Sequence, residues 1–231
     1  MDLGLSGRVV LVVGGTGLVG SAVVQRLREE GATAVVASRS TIPDEHGTSL
    51  RLDARDDASA AAAVDAVLAH HGRLDGLVVT AAPSAQTLDP SRNDDPAQVL
   101  EAFDAKAVTF LRLANAVLPV MREAGYGRVV GISGQNAFIT SNTTGAVRNA
   151  ALIVIAKNLA DAVAGSGITV NTVSPSTVTP TPAAEVAPGR GGESSPDEIA
   201  DLVTFLLSPR ARAISGESIT TGHRVRGVVS F

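Results

Sequence analysis

The chain has 231 residues, 45% of them hydrophobic and 18% charged, with a formal net charge of −4. That balance predicts one folded globular domain and supplies no basic surface for nucleic acid or an anionic membrane. Cysteine is absent, which excludes disulfides and thiolate chemistry, and an aromatic content of 3% without tryptophan argues against a base-stacking platform. The opening residues MDLGLSGRVV have no long apolar core of a signal peptide, and no run of 18 apolar residues follows. The expectation is a cytoplasmic protein without a membrane span.

The first element is the apolar run at 8–13, RVVLVV, which predicts a buried strand. Glycines follow at 14, 15, 17 and 20, and a helical pattern over 18–30 places Val19, Val23 and Leu27 on one face. Glycine accepts positive φ and lets a ligand approach the backbone. The free N–H groups at the start of a helix attract anions. Gly14, Gly15, Thr16, Gly17, Leu18 and Val19 are therefore candidates to hold a pyrophosphate.

Further strands are expected at 33–38, 49–52, 75–81, 127–133, 168–173 and 217–221, and further helices at 56–70, 96–123, 144–164 and 196–207. Strands alternating with helices predict an α/β fold of Rossmann type, a doubly wound parallel sheet in a single domain spanning 1–231. Ligands in such sheets bind beyond the carboxyl ends of the strands.

The second strand ends in Ser38-Arg39-Ser40. A site for NAD would put a carboxylate there for the ribose 2′-hydroxyl, whereas an arginine between hydroxyls suits a 2′-phosphate. NADP is expected in preference to NAD. The third strand ends at Asp53-Ala54, where the acid could accept from an adenine amino group or cap the next helix. The fourth ends in Thr80-Ala81-Ala82-Pro83, and the small residues Ala81 and Ala82 permit close approach. Residues 83–96 read as a loop over the site.

In the helix at 96–123, Lys106 falls on the apolar stripe of Val99, Phe103, Phe110, Leu113 and Val117. An inward lysine needs a partner, unless its stem snorkels at the helix edge. Strand 127–133 runs into a loop rich in hydrogen-bonding side chains, including Ser133, Gln135 and Asn136. Strand 168–173 leads to Pro175, Ser176, Thr177 and Val178, which could fix a nicotinamide or a phosphate. A Pro/Gly-rich stretch at about 180–196 reads as a lid. Ser195, Pro196 and Glu198 spell a capping box for the next helix. The apolar tail VVSF is expected to pack on the body or on a second subunit.

These segments resemble the short-chain dehydrogenase/reductase family along essentially the whole chain. The resemblance rests on the glycine turn, ASRS, LDGLVVTAA, GRVVGIS, AALIVIAKNLA, GITVNTVSPS and SPDEIADLVTFLLS. It implies hydride transfer between NAD(P) and a carbonyl or alcohol carbon of a small molecule. It also implies a homodimer or homotetramer formed through the helices at 96–123 and 144–164. The family's Asn-Ser-Tyr-Lys tetrad is not reproduced. Lys106 stands at the Asn position, Gly134 beside Ser133 at the Ser position, Gly145 at the Tyr position and Asn149 at the Lys position. The exchange of Lys and Asn resembles that in ketoreductase domains of fatty-acid and polyketide synthases, which keep the tyrosine. Tyr126 is the one tyrosine here, and it precedes strand 127–133 at the wrong end of the sheet. Lys106, Ser133 and Asn149 remain as candidate catalytic groups. Two functions stay open: a reductase with an unusual proton donor, and a non-redox protein on the same frame.

Overall fold

The computed structural model describes residues 2–82, 87–140 and 142–227. The first strand, β1 (Val9–Val13), is followed by α1 (Leu18–Glu29), β2 (Thr33–Ser38), β3 (Ser49–Arg51), α2 (Asp57–His71) and β4 (Gly76–Val79). Then come α3 (Pro96–Phe103), a π-helical turn (Asp104–Val108), α4 (Thr109–Ala124), β5 (Gly127–Ile132), α5 (Thr143–Ala162) and β6 (Ile168–Pro175). The chain closes with β7 (Thr177–Val178), β8 (Glu193–Ser194), α6 (Pro196–Leu207) and β9 (Ser218–Thr221).

Seven strands form one parallel sheet in the order β3-β2-β1-β4-β5-β6-β9. Successive residues of a strand point to opposite faces. In β1, Val9, Leu11 and Val13 pack with α2, α4 and α5, while Val10 and Val12 pack with α1 and α6. Helices cover both faces, which is why β1 is apolar at every position. Strand order reverses beside β1, so a crevice opens where the chain leaves β1 and β4.

The ladder of β4 stops at Val79, short of the expected 81. Both Thr80 and Ala81 turn their N–H groups to the Val13 carbonyl, at 2.9 and 3.1 Å. The Thr80 hydroxyl donates to the Gly14 carbonyl at 3.0 Å. The chain thus leaves the sheet to buttress the glycine turn. The helix expected at 96–123 is interrupted by the π-turn, which 3.6-residue periodicity does not reveal. Helix α2 is capped by Asp56 rather than Asp53, and α6 carries the expected box of Ser195 and Glu198.

At the amino-terminal edge of the sheet, Tyr126 lies between the guanidinium groups of Arg8 and Arg128, at 4.0 and 4.3 Å from its ring centre. Buried Asp75 pairs there with Arg8 at 2.7 Å and Arg73 at 2.6 Å. Burial pushes the Asp75 carboxyl up, but hydrogen bonds from Arg73, the Val9 N–H and Arg8 outweigh it and hold the carboxyl below its ordinary value. The stretch at 180–196 is tied to the end of the chain. Gly189 N–H donates to the Arg226 carbonyl at 3.0 Å, Arg226 N–H to Arg190 at 2.9 Å and Gly192 N–H to His223 at 3.1 Å. Residues 83–86 of the expected loop and the VVSF tail lie outside the described residues.

Candidate functional site

The glycine turn is built by backbone contacts. Gly14 has φ of +88°, and its N–H donates to the Ala37 carbonyl at 2.8 Å. A Cβ there would meet the Thr80 hydroxyl at 2.6 Å and the Ala81 nitrogen at 2.7 Å, so only glycine fits. Gly17 is the N-cap of α1 and supplies no side-chain cap. A Cβ at Gly17 would meet only the Gly14 carbonyl, at 3.4 Å, and otherwise enter open space. The first turn of α1 therefore keeps N–H groups available for an anion.

Beside this turn lies a cavity of about 460 Å³ over the carboxyl ends of β1 to β4. Of the residues singled out in the sequence, Gly14, Thr16, Ser38, Arg39, Ser40, Asp53, Ala54, Ala81 and Ala82 line it. Gly15 lines a separate open groove along α1, and Val19 packs its side chain into the core. Leu18 is exposed, so Leu18 and Val19 could offer a ligand only main-chain N–H groups at the helix start, while the Gly17 N–H donates to the Gly14 carbonyl at 3.0 Å. Arg39 is exposed and forms no ion pair among the described residues, while Ser38 hydrogen-bonds the Thr41 hydroxyl at 2.7 Å. The Asp53 carboxylate accepts from the Arg55 N–H at 3.0 Å. Pro175 ends β6 beside β9, Ser176 follows it, Thr177 and Val178 pair with β8, and none of the four is among the residues lining this cavity.

Sequence reasoning missed Val13, Leu52, Arg55, Thr87, Ala105 and Thr109, which complete the wall. Arg55 was the legible one, because it follows Asp53-Ala54 directly. It pairs with Asp104 at 2.7 Å, and Arg112 reaches the same carboxylate at 3.1 Å. Ala105 and Thr109 come from the π-turn and the residue after it, whose face the sequence does not disclose.

Lys106, Ser133 and Asn149 form a second cluster, between the π-turn, the end of β5 and α5. Lys106 is buried, and its Nζ donates to the Ser133 carbonyl at 2.9 Å. Burial, and secondarily the positive charge of Arg148 on α5, push its amine down to about 7 from 10.5. The Ser133 hydroxyl donates to the Asn149 carbonyl at 3.0 Å, so it is engaged with the α5 backbone. Asn149 turns its Nδ2 back to the Gly145 carbonyl at 2.9 Å, leaving a buried Oδ1 without a hydrogen bond. A Cβ at Gly145 would meet the Asn142 side chain at 2.6 Å, so the Tyr position of the family pattern is closed in by the cap of α5. Tyr126 lies at the opposite edge of the sheet from this cluster.

The residues present could accommodate an anionic dinucleotide, with main-chain N–H groups at the α1 start and the Arg39 guanidinium at the cavity wall as donors. A parallel sheet with a glycine turn and a cleft at the strand-order reversal defines a Rossmann-type α/β protein.

A family model described as enoyl-(acyl carrier protein) reductase matches residues 17–222. The chain is similar to the (2S)-[(R)-hydroxy(phenyl)methyl]succinyl-CoA dehydrogenase subunit BbsC of Thauera aromatica, 33% identical with 93% of this chain and 92% of that protein covered. It is similar to the 3-oxoacyl-[acyl-carrier-protein] reductase FabG of Vibrio harveyi, 28% identical over 94% of this chain and 96% of that protein. Among solved structures, levodione reductase shares the fold with a TM-score of 0.79 at 21% identity, covering 94% of this chain and 97% of that one. The chain belongs to the short-chain dehydrogenase/reductase family, and it is an enzyme of the oxidoreductase class. No helix among the described residues is long and apolar enough to cross a membrane.

Proposed function

We propose that the chain is an NADP-dependent oxidoreductase acting on a carbonyl or alcohol of a small molecule, with Lys106 in the proton-donating role that a phenol plays elsewhere in the family. The observation that carries this reading is the Lys106 amine, buried and held on the Ser133 carbonyl at the carboxyl end of β5, where burial pushes it down to about 7. An acid works best when its pKa lies near the working pH. When bound, the nicotinamide would supply or accept the hydride. The protein's own part is to hold the dinucleotide and to present charge. Gly17 and the α1 start bind the pyrophosphate, and Arg39 with Ser38 and Ser40 recognises the 2′-phosphate. Lys106 keeps one N–H on the Ser133 carbonyl, which orients its remaining protons. Ser133 and Asn149 hold the end of β5 against α5. Pro175, Ser176, Thr177 and Val178 are assigned to the nicotinamide end. Residues 180–196, tied to the end of the chain, serve as the lid. A homodimer or homotetramer through α3–α4 and α5 is part of this reading, supported by the exposed apolar residues Leu100, Val147 and Val154, and so is a cytoplasmic location.

The test is calorimetry with NADPH and NADH, followed by NADPH oxidation against a panel of ketones and quinones with the wild-type chain and Lys106→Ala. Tight NADPH binding, and consumption that drops about 10²–10⁴-fold in Lys106→Ala, is the expected result. NADPH that binds but is never consumed would favour a cofactor-binding partner instead.

A further inference from the structure

We propose that the π-turn Asp104–Val108 mechanically links the adenosine end of the nucleotide cleft to Lys106, with Asp104 as the positioning residue. The inference rests on the nucleotide reading above. One short segment contributes to both places. Ala105 and Thr109 form part of the cavity wall, while Lys106 leaves the same turn on its other side and reaches the Ser133 carbonyl at 2.9 Å. A π-turn carries an extra residue and a widened hydrogen-bond ring, so it is softer than the helix around it. Here it is braced. The Thr109 hydroxyl donates to the Asp104 carbonyl at 3.2 Å, closing the turn. The Asp104 carboxylate receives Arg55 at 2.7 Å from the cavity wall and Arg112 at 3.1 Å from α4. Burial raises the Asp104 carboxyl, but those two arginines outweigh it and keep it ionised.

A nucleotide filling the cavity excludes water from the Arg55–Asp104 pair, which strengthens it. It also packs directly on Ala105 and Thr109. Both effects stiffen the turn that fixes the amine. Arg148 on α5 is the charged side chain that acts on Lys106 from a neighbouring element, and no carboxylate does so among the described residues.

The chain has two lysines, Lys106 and Lys157, which makes the link readable. Lysine labelled with ¹³C at Cε should show two signals, and Lys157, exposed and paired with Asp161, is the internal reference. The probe is adenosine 2′,5′-bisphosphate, which carries the 2′-phosphate and no nicotinamide. Its binding is expected to slow amide exchange across 104–110 at least tenfold in the wild-type chain. Asp104→Asn leaves Arg55 in the cavity wall but cuts the brace. Slowing by the bound probe should then fall below twofold, and the Lys106 titration midpoint should rise by a unit or more as the amine relaxes toward water. If Asp104 acted only as a negative charge, its loss would lower that midpoint. Probe binding without slowed exchange in the wild-type chain overturns the link and leaves the nucleotide reading standing. So does a midpoint that is unmoved or lowered in Asp104→Asn. Failure of the wild-type chain to bind the probe overturns both.

Discussion

Replacing Lys106 with methionine should stabilise the fold at low pH and lose that advantage as the pH rises. The folded amine titrates near 7 and the unfolded one near 10.5. That difference corresponds to roughly 5 kcal/mol by which the fold disfavours the charged form. Below about 7 both states are protonated, so the whole penalty is present. Between 7 and 10.5 the unfolded chain binds more protons than the folded one, and raising the pH stabilises the fold by about 1.4 kcal/mol per unit. Above 10.5 both states are neutral and the penalty is gone. Methionine fills nearly the same volume and carries no proton. Its substitution forfeits the hydrogen bond to the Ser133 carbonyl, which for a charged donor is worth about 1.5–3 kcal/mol. At pH 6 Lys106→Met should therefore be more stable than wild type by about 2–3 kcal/mol. By pH 9 the two should be nearly equal. The assay is urea unfolding of both proteins, without nucleotide, at pH 6, 7, 8 and 9, with equal m-values as the check on two-state behaviour. Groups elsewhere titrate alike in both and cancel in the difference. A stability gap that stays constant from pH 6 to 9 would refute the reasoning, because it would mean that the amine keeps its ordinary pKa inside the fold.

Arg39→Ala should weaken NADPH about 10- to 100-fold, the loss expected for charge-assisted hydrogen bonds, and leave NADH nearly unchanged; calorimetry with both cofactors decides it. Gly14→Ala forces a side chain into left-handed backbone at φ of +88° and against the Ala81 backbone. It should cost on the order of 2 kcal/mol or more in urea melts. Gly17→Ala meets only one soft contact, so its stability should stay within about 1 kcal/mol of wild type while nucleotide affinity drops. Tyr126→Phe removes a single 3.3 Å hydrogen bond to the Leu207 carbonyl. It should cost about 1 kcal/mol at most and leave turnover unchanged, since the ring lies at the far edge of the sheet; a collapse in turnover would bring the phenol back into the chemistry.

Elements with local causes were legible in the sequence. The run at Val9–Val13 could only be a strand covered on both faces, and Ser195 with Glu198 announced the start of α6 within four residues. What escaped was set by partners distant in the chain. The apolar stripe through Phe103, Lys106 and Phe110 reads as one continuous helix, and nothing in it reports the extra residue of the π-turn. That Lys106 points inward was readable; that its amine ends on a main-chain carbonyl 27 residues away was not. The cavity's glycine and arginine corner followed from the strand ends. Arg55 could have been read from its place directly after Asp53-Ala54, but its ion pair to Asp104 could not, and Thr109 entered the wall through the π-turn geometry, which leaves no spacing signature. The stretch at 180–196 announced itself by composition, but its ties to His223 and Arg226 did not.

The order of strands also dictates how the molecule must come together during synthesis. Of the seven strands β1 is made first, yet one of its two neighbours, β4, begins at Gly76 and pairs with Val10 across the intervening helices. Until Val79 has cleared the exit tunnel, one flank of the earliest strand stays open, with its hydrogen-bonding groups unmet. The edge strand β9 pairs with Thr172–Pro175 of β6 only after the other six strands of the sheet have been made. Such remote pairings slow folding and populate partly assembled intermediates with sticky flanks. Heterologous production should accordingly gain more from slowed translation or added chaperones than from a tighter core.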